Sequence, residues 1–488
     1  MSYDELWEQV ELCAVGLARL GVKKGDRFGL VMRNCPEFVI VSFALFRLGA
    51  VAVPVNFLLK PAETVYIFDH ADVVGAAVQP AFLDAARKVQ AVVPAMRRLV
   101  VCGEGAAAGD AITFADLLAS SPSAQNLPSL DASPDDLAVL LYTSGTTGVP
   151  KGVMLSHGNF AVNVFDLLEV VGIKRNDVFI CLLPMFHAFA FTVCVLAPLA
   201  AGVPTVIIES IQPFGDVVKQ VWKHRVSIFV AVPAVFGALA SRVRFWRPLR
   251  FLLPIRVGIS GAAPLPASII ERFEAKFGVP ICEGYGLTET SPVVTINPVS
   301  GRRKIGSVGL PVKNTSVRIT DEHGNDVSEG EVGEICVKGP NVMQGYFNDP
   351  ESTREAFYPG GWLRTGDLGG LDEDGYLRIA DRLKDLIIVK GLNVYPREVE
   401  DVISRHPSVE EVAVVGLDDG QGDETVRAFV VLREGCAAEK AELLAICRDA
   451  LASYKCPRDI EIRPELPKNG VGKILKRQLR EEMAGTDR

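Results

Sequence analysis

The stretch Leu141-Tyr142-Thr143-Ser144-Gly145-Thr146-Thr147-Gly148-Val149-Pro150-Lys151-Gly152 sets hydroxyls, glycines and one lysine directly after an apolar run. Glycines let the backbone approach an anion closely, threonine and serine add N–H and O–H donors, and lysine adds a charge. The segment therefore reads as a phosphate loop. From Gly145 the order is G-x-x-G-x-x-K-G, which is not the G-x-x-x-x-G-K-[ST] of the common P-loop. Leu137 to Tyr142 reads as the buried strand that delivers it, which sets the loop in an α/β sheet.

The same grammar extends to both sides. Leu6, Val10, Cys13, Ala14, Leu17 and Leu20 recur at helical spacing and stop at Gly21. Short strands are expected at Phe28–Met32 and Val51–Pro54, around an apolar helix near Phe38–Leu48. Further strands fall at Val226–Val232, Ile255–Ile259 and Pro280–Glu283, each followed by a loop with glycine or proline. Ser120 to Asp136 has no period and reads as a surface loop. Gly306 to Gly375 is rich in turns between short strands and reads as a β-rich subdomain. Beyond Asp381-Arg382-Leu383-Lys384-Asp385 a separate pattern begins, with helices at Pro396–Arg405 and Lys440–Leu451 and strands at Glu411–Val415 and Val426–Leu432.

Composition bounds the partners. The 488 residues carry a formal net charge of −8, which argues against nucleic acid, since that partner needs a basic surface. Ten cysteines are scattered without a C-x-x-C pair, as expected of reduced thiols in a cytoplasmic protein. Met1 to Glu5 is acidic and lacks the features of a signal peptide. Val178 to Ile208 contains no Asp, Glu, Lys or Arg and is long enough to span a bilayer. Pro184, His187, Pro198, Gly202 and Pro204 divide that run, so it is expected to fold as core pieces; peripheral contact at the inner membrane face and a homodimer stay open.

Other blocks follow the loop in order: Leu183-Pro184-Met185-Phe186-His187, Gly258-Ile259-Ser260-Gly261-Ala262-Ala263-Pro264, Glu283-Gly284-Tyr285-Gly286-Leu287-Thr288-Glu289-Thr290, Gly361-Trp362-Leu363-Arg364-Thr365-Gly366-Asp367, Asp381-Arg382-Leu383-Lys384-Asp385 and Pro467-Lys468-Asn469-Gly470-Val471-Gly472-Lys473. Taken singly each has a plain reading: Glu289 as a solvated acid, Tyr285 as core, Lys473 as a mobile surface charge. Together, and over nearly the whole chain, they resemble the adenylate-forming superfamily of acyl-CoA synthetases, nonribosomal adenylation domains and luciferases. The form of the 283–292 and 391–400 blocks looks most like the long-chain fatty acid–CoA ligases.

The resemblance implies an α/β fold with two α/β subdomains and a distorted β-barrel subdomain in residues 1–382, followed by a small mobile α+β domain in 383–488. It implies ATP, Mg²⁺ and CoA as cosubstrates and cofactor, with a small carboxylic acid. Thr143, Ser144, Gly145, Thr146, Thr147 and Lys151 would grip the phosphates. Gly261, Ala262, Ala263, Glu283, Gly284, Tyr285 and Gly286 would hold the adenine, and Asp367 with Arg382 the ribose. Thr288 would bond the α-phosphate, Glu289 would hold Mg²⁺, His187 would gate the acid carboxylate, and Lys473 would serve the adenylation step. Lys384 matches the family's hinge, and Gly391 would line the pantetheine tunnel; Lys390 beside it stands where a small residue is common.

The acid site is expected among Phe189, Phe191, Val235, Phe236 and Leu287, which carry no charge to pair a second carboxylate or an amine, so a hydrophobic monocarboxylate is expected. A medium- or long-chain fatty acid is favoured. The alternatives are a fatty acyl-AMP ligase loading a carrier protein and an aromatic acid–CoA ligase. More distant rivals are a P-loop kinase, against which the glycine–lysine spacing speaks, and a lipid binder without catalysis, against which Thr288, Glu289, Asp367 and Lys473 speak. Members of the family usually carry some tens of residues before the helix that starts here at Tyr3, so an N-terminal edge is expected to be absent or the start misassigned.

Overall fold

The structure is a computed structural model and describes residues 1–103, 110–120, 132–144, 149–243, 252–389, 392–418, 424–468 and 474–486. Among the described residues, eight strands make the first sheet, in the order Gly345–Tyr346, Pro150–Ser156, Leu137–Ser144, Val51–Pro54, Arg27–Val31, Val73–Val78, Arg98–Val101 and Ile112–Thr113. Its central pairs are parallel, and the strands are apolar on both faces, as Val51–Pro54 illustrates by being buried throughout. Helices cover it. The helix Pro36–Leu48 starts with proline at its first turn, and His157–Val171 starts with a reciprocal cap between Ser156 and Asn159.

The second sheet runs Leu310–Pro311, Val293–Ile296, Ile281–Gly286, Val257–Ser260, Ile228–Ala231, Phe179–Cys181 and Thr205–Ile207. Its middle strands are parallel, and their C-terminal ends deliver the Ser260 and Glu283 blocks side by side, with Ser260 paired to Glu283. The charge-free run from Val178 folds as two strands joined by short helical pieces, one of them a π-helical turn at Phe191–Leu196. Among the described residues no helix is long and apolar enough to cross a membrane.

A curled antiparallel sheet follows, built from Ser316–Thr320, Gly333–Lys338, Trp362–Leu371, Phe357–Tyr358 and Leu377–Arg382. The remaining chain makes the hairpin Ile387–Val389/Leu392–Val394 and a three-stranded sheet of Val409–Asp418, Glu424–Leu432 and Asp459–Arg463. The apolar clusters divide in the same place: the curled sheet's cluster reaches Ile379, and those of the C-terminal part begin at Ile387. Between them lies one 3₁₀ turn, Leu383–Asp385.

Candidate active site

A cavity of about 1260 Å³ lies where the two large sheets, the curled sheet and the C-terminal part meet. The end expected to take phosphate is a β-hairpin. Thr143 and Lys151 face each other across the strands Leu137–Ser144 and Pro150–Ser156, and both line the cavity. Gly145, Thr146, Thr147 and the side chain of Ser144 lie outside the described residues. Lys151 Nζ donates to Ser352 Oγ at 2.7 Å and stands 5.2 Å from the centre of the Tyr346 ring. The Tyr346 hydroxyl in turn donates to Glu289 Oε1 at 3.2 Å. Thr288 and Glu289 sit on a 3₁₀ turn, and both line the cavity. Burial in these walls raises the Glu289 carboxyl above the ordinary range.

Gly261, Ala262, Gly284, Tyr285 and Gly286, together with Asp367 and Arg382, line the end expected to take the nucleoside. Asp367 and Arg382 are cross-strand partners, and Arg382 Nε lies 3.2 Å from Asp367 Oδ1. The Tyr285 hydroxyl donates to Asp367 Oδ2 at 2.7 Å, so both oxygens of this carboxylate are engaged, each with a second lone pair left. Burial, followed by the charge of Asp367, raises the Tyr285 phenol. Glu334 supports the turn below, accepting from Gly366 N at 3.2 Å and Arg364 Nε at 3.1 Å. Close approach explains Gly286: a Cβ there would stand 1.7 Å from Pro292 O.

Two residues expected at this end are placed elsewhere. Ala263 and Glu283 are not among the cavity walls. Glu283 is 3 % exposed, and its Oε1 accepts the N–H of Leu265 at 3.1 Å, bracing the loop that carries Gly261 and Ala262. Burial raises this carboxyl from 4.5 to about 7, against the opposing pull of Arg397. The folded chain thus holds the proton more tightly than the unfolded one, so this group's contribution is full below about pH 4.5 and is lost as pH rises to about 7. Glu283→Gln keeps an acceptor for Leu265 and removes the charge. Thermal melts are expected to show it stabilising at about pH 8, by up to about 3 kcal/mol, and near neutral at about pH 5. An equal shift at both pH values would reject a buried charge at Glu283.

Leu167, Phe189, Val193, Ile259, Val293 and Ile296 give the cavity an apolar lining where the acid is expected, and His187 lines it too. A Cβ on Gly261 would lie 3.2 Å from Phe189 Cζ, so the ring packs directly over the glycine. His187 caps a short helix, its Nδ1 accepting from Phe189 N at 3.3 Å. Buried Asn34 fixes the loop before it, donating to Leu183 O at 2.9 Å and Ile208 O at 3.0 Å and accepting from Met185 N at 2.8 Å. Of the five apolar residues expected here, Phe189 and Leu287 line the cavity. Phe191, Val235 and Phe236 are core instead: Phe191 packs edge-on against Phe38 and Phe160, and Phe236 against Phe229 and Phe273.

The C-terminal part closes the cavity. Arg382, Leu383 and Lys384 line it from the connecting turn, and Lys468 and Leu475 line it from the final block. Lys468 and Ile474 pair across an antiparallel bridge; Lys473, between them, and Gly391 lie outside the described residues. Beyond the bridge, Lys476 Nζ is 2.7 Å from the half-buried Glu400 on the helix Pro396–Ile403, and Arg480 is 2.9 Å from Asp385, which ties the final helix to the connecting turn. Tyr346, Ser352, Glu334 and Asn34 were not foreseen from sequence. The Gly345-Tyr346 dipeptide and the Asp349-Pro350 cap were the only local signals near the first two.

The sequence profile of the AMP-binding enzyme family matches residues 1–347, and that of the AMP-binding enzyme C-terminal domain matches 398–473. The chain is 35 % identical over 512 residues to a long-chain-fatty-acid–CoA ligase of Escherichia coli O157:H7, an alignment covering 99 % of this chain and 90 % of the relative. It is 38 % identical over 482 residues to a feruloyl-CoA synthase of an Amycolatopsis species, covering 98 % and 93 %. Its fold is similar to that of ATP-bound MatB from Rhodopseudomonas palustris, with a TM-score of 0.91 at 34 % identity, covering 99 % and 93 %. The chain belongs to the AMP-binding, adenylate-forming enzyme family. Within that family it is an ATP-binding, AMP-forming acid–CoA ligase.

Proposed function

We propose that this ligase activates a hydrophobic monocarboxylate, a medium- or long-chain fatty acid first, to an acyl-adenylate and then to its CoA thioester. The observation that carries the choice of acid is the wall of Leu167, Phe189, Val193, Ile259, Val293 and Ile296, which rewards an apolar tail and offers no charge to a second polar group. The E. coli relative named above supports it. A second reading, an aromatic acid, is favoured by the flat Phe189 ring over Gly261 and by the feruloyl-CoA synthase relative.

In the first half-reaction a carboxylate oxygen bonds to the α-phosphorus of ATP, and the bond to the bridging oxygen of pyrophosphate breaks. Gly261, Ala262 and Tyr285 hold the base, Asp367 and Arg382 the ribose, and Thr143 and Lys151 the phosphates that depart. His187 sets the acid carboxylate, and Lys473 brings a cation between the two anions. The residues fit Mg²⁺: this ion takes one or two carboxylates and otherwise phosphate and water oxygens, and Glu289 supplies one oxygen-rich, enclosed carboxylate. When bound it neutralises phosphate charge. In the second half-reaction the CoA sulfur bonds to the acyl carbon, the thiol proton is lost, and AMP leaves. The domain beyond residue 382 turns at Lys384 to withdraw Lys473 and admit the thiol. We place this work in the cytoplasm, with contact at the inner membrane face where apolar acids collect.

The test is CoA-dependent AMP release across fatty, aromatic and short acids. A maximum kcat/KM among acids of medium or long chain is expected. A maximum at benzoate or acetate would overturn the choice.

A further inference from the structure

Tyr346 joins two side chains that no sequence block connects. Its strand, Gly345–Tyr346, is the edge of the first sheet among the described residues and pairs with Val153 and Met154, two and three residues beyond Lys151. On the other side Met343 N donates to Glu289 O at 2.8 Å, so the same short segment grips the 3₁₀ turn that carries Glu289. The placement is constrained locally. Gly345 adopts φ +138, its Cβ position would lie 2.8 Å from Thr353 Cγ2, and Tyr346 N donates to Thr353 Oγ1 at 2.8 Å. Asp349 then caps the helix Pro350–Glu355 through Ser352 N at 2.9 Å, which fixes the hydroxyl that receives Lys151.

We propose that Tyr346 is a positioning residue for the β- and γ-phosphates of ATP, its ring beneath the Lys151 ammonium and its hydroxyl on the Glu289 carboxylate, so that the cation and the anion of the phosphate end are held at one spacing. Both contacts are on one rigid side chain, with two rotatable bonds, and that side chain lines the cavity. Without the hydroxyl, Glu289 loses a hydrogen bond to its charged form inside an enclosed wall, where such a bond is worth most. Without the ring, Lys151 loses the face it stands over, while its hydrogen bond to Ser352 remains. AMP, which ends at the α-phosphate, makes no use of this spacing.

The inference rests on the proposed seat of ATP in this cavity, and the experiment separates the two. MgATP and AMP binding are measured by calorimetry on the full chain, without acid or CoA, for the unmodified protein, Tyr346→Phe and Tyr346→Leu. Tyr346→Phe is expected to weaken MgATP roughly tenfold, the size of a hydrogen bond to a charged group, and to require a higher Mg²⁺ concentration for half-saturation. Tyr346→Leu is expected to weaken it by about a further threefold, from the lost contact with Lys151. AMP affinity should be unchanged in both. In a double-mutant cycle, Tyr346→Leu and Lys151→Met should be less than additive. An unchanged or tighter MgATP Kd in folded Tyr346→Phe, or an equal loss for AMP, would overturn the proposal. Should Tyr346→Leu fail to fold, Tyr346→Phe alone decides it. Failure of the unmodified protein to bind MgATP would instead reject the seat of ATP itself.

Discussion

Replacing Lys473 with alanine is expected to slow acyl-adenylate formation by about a hundredfold to a thousandfold, the usual cost of losing one electrostatic contact aimed at a transition state. Adenylation brings a carboxylate against a triphosphate, and charge builds between them as the new bond forms. A cation bridging the two is stabilising only while they are together. In the second half-reaction the nucleophile is a thiol and the leaving group is AMP, so the same lysine is not needed there. Thioester formation from supplied acyl-adenylate should therefore change far less than adenylation. The described residues on either side support a role at the cavity: Lys468 and Leu475 are in its wall, and Lys468 is bridged to Ile474. Behind them, Lys476 is anchored to Glu400. Rapid-quench measurement of each half-reaction checks it, and an equal loss in both would refute the assignment.

Lys384→Pro is expected to reverse the pattern. Lys384 is the middle residue of the turn Leu383–Asp385, which stands between the last strand of the curled sheet and the first hairpin of the C-terminal part. The turn is closed by Leu386 N donating to Arg382 O at 3.1 Å. Lys384 is exposed at the rim of the cavity, where partial desolvation, then the neighbouring Arg382, lowers its ammonium below the ordinary range. Proline fixes φ near −65° and restricts the residue before it, so the turn loses the freedom a rotation needs. The arrangement seen here brings the final block to the cavity, and it is kept by Arg397 N on Asp381 Oδ2 at 2.7 Å. Adenylation should accordingly survive with a modest loss, while thioesterification falls by about a hundredfold, as expected when a reacting group is misplaced. Unchanged kinetics in both steps would remove Lys384 from the hinge.

The elements that bear a strong local pattern were legible in the sequence. Val51–Pro54 is found where the apolar run placed it, and the helices Pro36–Leu48 and Lys440–Ala450 follow their periodicity to within about two residues. The site blocks also converge: Thr143, Lys151, His187, Tyr285, Thr288, Glu289, Asp367 and Arg382 share one cavity. What escaped had physical reasons. Gly345–Tyr346 is two residues long, too short to show a period, and its partner strand lies nearly two hundred residues earlier in the chain. Glu283 stands in a motif, but membership of a motif does not say which way a side chain faces, and a register shift at Tyr285/Gly286 breaks the strand's alternation. Phe191, Val235 and Phe236 are apolar for the sake of the core, and residue type alone does not separate core from pocket wall.

One cavity is expected to carry an adenylation step that precedes and does not require CoA. The most direct measurement is the exchange of labelled pyrophosphate into ATP, with Mg²⁺ and a fatty acid present and CoA absent. Exchange that depends on the acid and disappears in Lys473→Ala is the predicted result. ADP and orthophosphate as products, with no acid-dependent exchange, would contradict it.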